Sequence, residues 1–190
     1  MTTSDIAATP VAANAARYDR VTMTFHWLTA LAVVILFGTA FWWNALPGGT
    51  PLRKWLQAFH ISVALLFVAV FIGRLVWRWF GARKLPSANT GAVARLERGV
   101  HRLLYLLLAA QIVLGFALRW AQGEPFFFFG LFSVPEILGP SKDWEKIFEP
   151  LHNAVGWAII YLAGAHALAA LFHHYVLRDG VLRRMIPGRA

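Results

Sequence analysis

The sequence predicts an all-α integral membrane protein, a four-helix bundle with both termini on the cytoplasmic side. Three observations carry this expectation. Charged residues are 14% of the 190-residue chain and hydrophobic residues 58%, with a mean hydropathy of +0.56. A soluble domain carries roughly 25% charged residues. Four long stretches contain no charge at all: Val21–Pro51, Trp55–Gly73, Leu103–Leu118 and Pro150–Leu177. Finally, thirteen of the eighteen Lys and Arg residues fall at the N-terminus, the second connection and the C-terminus with their helix ends. The other side holds Arg53, Lys54, Arg119, Lys142 and Lys146. Basic residues stay on the cytoplasmic side of a membrane, which fixes the expected orientation.

Each stretch approaches the about 20 apolar residues that a bilayer requires. The third is the shortest, and its flanking Arg102 and Arg119 lengthen it by snorkelling to the headgroups. Breaks separate the helices at Pro47-Gly48-Gly49, Leu85-Pro86-Ser87 and Gln122-Gly123. Residues 1–20 are polar and small, with no apolar core of a cleaved leader, so the first helix is expected to be an uncleaved anchor. The chain thus divides into an N-terminal cytoplasmic segment (1–20), the transmembrane bundle (21–180) and a basic cytoplasmic tail (181–190). The connection from Ala121 to Glu149 lies outside, and its Phe126 to Phe129 and Phe132 place part of it on the membrane surface.

Composition also excludes several functions. The chain has no cysteine, which removes disulfides, cysteine-held iron–sulfur clusters and covalent haem attachment. The net charge of +9 does not indicate nucleic acid, because the basic residues lie between apolar runs, where topology accounts for them. Lipid is the expected partner.

All seven histidines lie in or at the ends of the apolar runs. An ionisable side chain in lipid is costly and by default marks a functional site. A single one is as readily a histidine bonded to a neighbouring helix, but the arrangement here has a geometry. His152 and His166 are fourteen residues apart, which on a helix is a rise of about 21 Å and a return to nearly the same face. One helix therefore presents two imidazoles, one near each side of the membrane. His60 enters the second helix level with His152, and His26 opens the first level with His166. Depth alone predicts the pairs His60–His152 and His26–His166, each fit to hold one non-covalent haem. Two imidazoles saturate the iron, which suits electron transfer rather than oxygen binding. A di-iron bundle needs repeated Glu-x-x-His and further carboxylates, whereas Glu149-x-x-His152 occurs once. A zinc site needs converging ligands, and these are spread over the bilayer.

Arg74 follows His60 by fourteen residues and reaches the depth of the cytoplasmic pair. It is a candidate for pairing with a haem propionate, the alternative being an arginine snorkelling to the headgroups. Arg78 and Arg17 are weaker candidates for the same task. His173, seven residues past His166, is a candidate for exchanging protons with a quinone, since an imidazole titrates near neutral pH; an interfacial histidine is the alternative. His101 either lines the same pocket or caps the bundle, and His174 is expected at the surface.

These residues together resemble the bacterial cytochrome b561 family. The matching segments are Tyr18-Asp19-Arg20 with Phe25-His26-Trp27, and Phe59-His60 with Gly73-Arg74-Leu75-Val76-Trp77-Arg78. They continue with His101-Arg102-Leu103-Leu104-Tyr105, Phe-Phe-Gly-Leu-Phe at 128–132, and Leu151-His152-Asn153. Ala165-His166-Ala167 and His173-His174-Tyr175-Val176-Leu177-Arg178-Asp179-Gly180 complete the set. The resemblance implies a multi-pass protein of the bacterial inner membrane with two b-type haems, exchanging electrons with the quinone pool. The family's ligand histidines match His26, His60, His152 and His166, and His173 matches the position implicated at the quinone site. The chain is similar to the superoxide oxidase type, in which superoxide reduces the outer haem and the inner haem reduces ubiquinone. The alternative is an electron-carrier subunit serving a periplasmic dehydrogenase or a soluble cytochrome. On the outer side, Glu124, Glu136, Asp143, Glu145 and Glu149 balance the five cations, so no electrostatic steering of an anion is expected from sequence.

Overall fold

Asp19 starts the first helix. Its carboxylate accepts from the Thr22 backbone N–H at 2.8 Å and from the Thr22 hydroxyl at 2.7 Å, capping α1 (Arg20–Asn44). The computed structural model describes residues 17–83, 85–87 and 89–187. Lys84 and Arg189, which count toward the expected orientation, and most of the N-terminal segment lie outside them. Helix α1 stops seven residues short of the end of its charge-free run. There Arg53 donates to the carbonyls of Trp43 and Leu46, at 3.1 and 2.9 Å, and sets a cation at the negative helix end. Gly49, at φ 79°, turns the chain into α2 (Pro51–Phe80), whose first residue is a proline that has no N–H to leave unpaired.

Helix α3 (Gly91–Gln122) begins twelve residues before its charge-free run, carrying Arg95, Glu97, Arg98 and Arg102 on its first turns. It ends at Gly123 in the left-handed conformation, φ 67°. A short antiparallel hairpin follows, β1 (Phe126–Phe128) on β2 (Phe132–Val134), with Phe126 opposite Val134. Helix α4 (Lys142–Phe172) starts at Ser141, with Asp143 and Glu145 in the first turn where negative charge suits the helix dipole. It continues into a π-helical turn (His173–Leu177), a left-handed Arg178 and a 3₁₀ turn (Leu182–Met185).

The four helices are each long and apolar enough to cross a bilayer. Their outward side chains are apolar: Trp79 and Phe80 are 78% and 85% exposed, as expected where lipid is the solvent. Helix α1 packs along α2, and α3 along α4. The two hairpins meet through a central cluster of Phe67, Phe71, Leu108 and Ile159, flanked by Val33 and Leu36 of α1. One end of the bundle carries the β-hairpin and the other carries both ends of the described chain. At the latter the Tyr18 N–H donates to the Arg184 carbonyl, the Trp27 indole to the Met185 carbonyl and Arg184 to the Pro86 carbonyl. The described part of the 181–190 segment is thereby tied to α1 and to the α2–α3 connection.

Candidate functional site

At the hairpin end, His60 of α2 and His152 of α4 lie close enough for their charges to interact. His60 is half-buried, with the Trp43 ring edge-on at 4.9 Å. Its Nδ1 lies 3.0 Å from the Leu36 carbonyl and 3.1 Å from the Thr39 hydroxyl. A carbonyl can only accept, so Nδ1 carries the hydrogen and Nε2 keeps its lone pair. Helix packing, through α1, thus sets the tautomer of a residue on α2.

His152 is held from α3. One ring nitrogen, Nε2, sits 3.1 Å from the Gln111 amide nitrogen, while Nδ1 is buried with no hydrogen-bond partner among the described residues. Gly115 makes room for the ring: a Cβ there would stand 3.3 Å from the imidazole Cε1. An unsatisfied buried polar atom costs about 1–3 kcal/mol. At His60 the protein-bound nitrogen is a donor. At His152 the Gln111 amide nitrogen can only donate. Turning that amide so that its unpartnered Oε1 meets Nε2 would let Nε2 donate as well and leave the Nδ1 lone pair to an external group. Metal-bound histidines have this second-sphere arrangement, and the donor set fits a haem iron.

Midway along the bundle, Phe67 lies seven residues after His60 and seven before Arg74, and Ile159 lies seven from both His152 and His166. Each is only 4% exposed. Two helical turns on either side return to the same face, so these side chains form an apolar layer between the two histidine levels.

At the termini end, His26 and His166 face each other with ring centres 6.3 Å apart. With metal–nitrogen bonds of about 2 Å, two imidazoles that shared one iron would have ring centres about 6 Å apart, and the spacing of this pair would fit. His101 joins them, with its ring centre 5.1 Å from that of His166. Arg74 is within electrostatic reach of His26 and His166. Its Nε donates to the Tyr105 hydroxyl at 2.8 Å and its guanidinium lies 5.1 Å from the centre of that ring, with Arg78 at 5.6 Å. Arg74 therefore points into the bundle beside the histidines. Among the described residues no three His, Asp or Glu side chains converge as a bare-metal site.

His173 does not join the inner imidazoles. Its Nδ1 pairs with the Asp179 carboxylate at the margin of the bundle. His174 is half-buried beside Tyr175 rather than fully exposed. Sequence reasoning gave no role to Gln111, Thr39, Tyr105 or Asp179. Gln111 carried a usable signal, as the lone amide in the Leu103–Leu118 run; the Leu36 carbonyl carried none.

The β-hairpin sits over the first level. Ser62, two residues past His60, bonds to the Phe127 carbonyl at 3.1 Å and accepts from the Phe129 N–H at 3.0 Å. Phe126 is buried against Phe116 and Trp120. Of the cations at this end, Arg119 pairs with Glu124, Lys142 with Glu145 and Lys146 with Asp143.

The chain matches the family profile described as prokaryotic cytochrome b561 over residues 17–188. It is 30% identical over 171 residues to cytochrome b561 homolog 2 of Escherichia coli, covering 90% of this chain and 91% of that protein. It is 28% identical to the probable superoxide oxidase CybB of Yersinia pestis, over 90% of this chain and 96% of that one. It is likewise 28% identical to cytochrome b562 of Cereibacter sphaeroides, over 90% and 96%. With four apolar helices arranged around histidines at two levels, the chain belongs to the prokaryotic cytochrome b561 family of haem b-binding membrane electron-transfer proteins.

Proposed function

We propose that the protein moves electrons across the bacterial inner membrane, from superoxide on the outer side to ubiquinone near the cytoplasm. His60 and His152 hold an outer haem b, and His26 and His166 an inner one, with both termini cytoplasmic. Bound haem supplies the one-electron chemistry. The chain does the rest. The Leu36 carbonyl and the Gln111 amide orient the outer imidazoles, and Arg74 offers its guanidinium to a propionate of the inner group. Phe67 and Ile159 keep water out of the layer between the levels. His173, at the cytoplasmic margin, hydrogen-bonds the quinone and passes it protons.

The observation that supports this reading is the pair of outer imidazoles, each with one nitrogen beside a protein partner and the other without one among the described residues. The name of the Yersinia relative supports superoxide as the donor. A second reading is an electron-carrier subunit for a periplasmic dehydrogenase or soluble cytochrome. It is favoured by the outer cations: Arg119, Lys142 and Lys146 are each matched by a carboxylate, leaving little field to draw in an anion.

Purified protein should give a b-type reduced-minus-oxidised spectrum with two haems per chain. Superoxide should then reduce the haems, and added ubiquinone should re-oxidise them. Haems that superoxide leaves oxidised would favour the carrier reading; a missing b-type signal would remove both.

A further inference from the structure

Asp179 follows His173 by six residues, a separation that on a continuous helix would put the two side chains on different faces. The chain here is built otherwise. From His173 the helix widens into a π turn, Arg178 takes the left-handed conformation at φ 54°, and Gly180 does so at φ 79°. A left-handed arginine is strained, and such strain persists only where surrounding contacts hold it. The result of the reversal is that Asp179 returns to His173. Its N–H donates to the His173 carbonyl at 3.4 Å, one carboxylate oxygen accepts from the Val181 N–H at 3.1 Å, and the other receives His173 Nδ1. The segment beyond is pinned by Tyr18, Trp27 and Pro86, so the dyad is fixed from both sides.

Burial works against ionisation of Asp179, but hydrogen bonds from His173 and the Val181 N–H outweigh it and hold the carboxyl below its ordinary value. The carboxylate is thus an acceptor only. It requires a hydrogen on Nδ1 and leaves Nε2, on the far side of the ring, without one in the neutral imidazole.

We infer that Asp179 is a positioning residue that keeps the hydrogen of His173 on Nδ1, so that Nε2 is the nitrogen that takes up a proton and, once protonated, donates it to a quinone carbonyl. This rests on the reading that quinone is reduced at His173. Reduction of one quinone to quinol takes two electrons and two protons. A haem held at the His26–His166 level would supply the electrons one at a time. Each proton leaves Nε2 of the protonated ring for a carbonyl oxygen, and Nε2 is reprotonated from cytoplasmic water. Asp179 keeps its charge throughout.

The test uses haem-loaded protein in nanodiscs, with ¹⁵N-histidine NMR and stopped-flow re-oxidation by a short-chain ubiquinone analogue. His173 resonances are assigned by their loss in His173→Gln. The expected result is an Nδ1–H tautomer in the parent protein, and a shift toward Nε2–H in Asp179→Asn. Re-oxidation should slow about tenfold, as for other orienting partners, with an unchanged haem spectrum and partial recovery in Asp179→Glu. If Asp179→Asn leaves both tautomer and rate unchanged while His173→Gln is slow, the quinone reading stands and the role of Asp179 is overturned. If His173→Gln is re-oxidised at the parent rate, the quinone reading itself fails and the inference with it, whatever the tautomer.

Discussion

The imidazole of His60 in α2 donates from Nδ1 to the carbonyl oxygen of Leu36 in α1, at 3.0 Å. Backbone carbonyls inside an α-helix are already engaged with their own N–H partners, so this bond draws on the remaining acceptor capacity of an oxygen with two lone pairs. It locks an imidazole whose Nε2 then faces a single direction.

The two-level arrangement predicts which substitutions share an effect. His60→Ala and His152→Ala should each remove the same haem, and His26→Ala and His166→Ala the other, read as loss of one of two b-type components in potentiometric titration. Loss of one component by both His60→Ala and His166→Ala would contradict the pairing.

Gln111 should matter for the outer level alone. Replacing it with Leu leaves the His152 ring without its amide partner, and partners of this kind are worth roughly 10–100-fold in affinity for the metal group. Gln111→Leu is therefore expected to release outer haem about tenfold more readily to a competing apo-globin, with the inner haem retained. Equal release from both levels would mean a general loss of packing.

Removing the charge of Arg74 should make the inner haem harder to reduce, because a nearby cation favours the state with one more electron. Arg74→Leu is expected to lower the inner midpoint potential by on the order of tens of mV, where about 59 mV is a tenfold change for one electron. Tyr105→Phe, which keeps the charge but removes the hydroxyl at 2.8 Å, should shift it less. A change confined to the outer haem would place Arg74 wrongly.

Acid should loosen the termini end through Asp19. Burial alone would raise its carboxyl, but bonds from Thr22, the Arg83 N–H and the Trp77 indole lower it from 3.8 to about 2. A folded value below the unfolded one contributes stability that is present above the unfolded value and lost as pH falls through the folded one. Hydrogen exchange at the start of α1 should therefore accelerate, relative to its intrinsic pH dependence, as pH drops from about 4 to 2. Asp19→Asn should make that region less protected at neutral pH and nearly flat over the same window. An unchanged profile in the variant would show that Asp19 is not the responsible group.

Helix ends were the least legible part of the fold. Charge-free runs mark where a chain can lie in hydrocarbon, but a helix continues into the headgroups wherever its backbone bonds can. Helix α3 thus starts at Gly91 with four charged residues before Leu103, and α1 stops at Asn44 although no charge follows until Arg53. The second case turns on Pro47 and on glycine torsions, which hydropathy does not register.

What the sequence determined by itself is the set of properties that follow from periodicity and solvent. Apolar length against bilayer thickness yields four spanning helices, and fourteen residues on one helix bring His152 and His166 to one face. Tertiary structure decided everything that depends on one helix meeting another. It set Leu36 against His60, Gln111 against His152, His101 beside His166 and Tyr105 under Arg74. It also turned Asp179 back to His173 through a strained left-handed residue. The physical reason is that helical periodicity gives the direction of a side chain but not the rotation and depth of the neighbour it faces, and hydrogen bonds over about 3 Å depend on both.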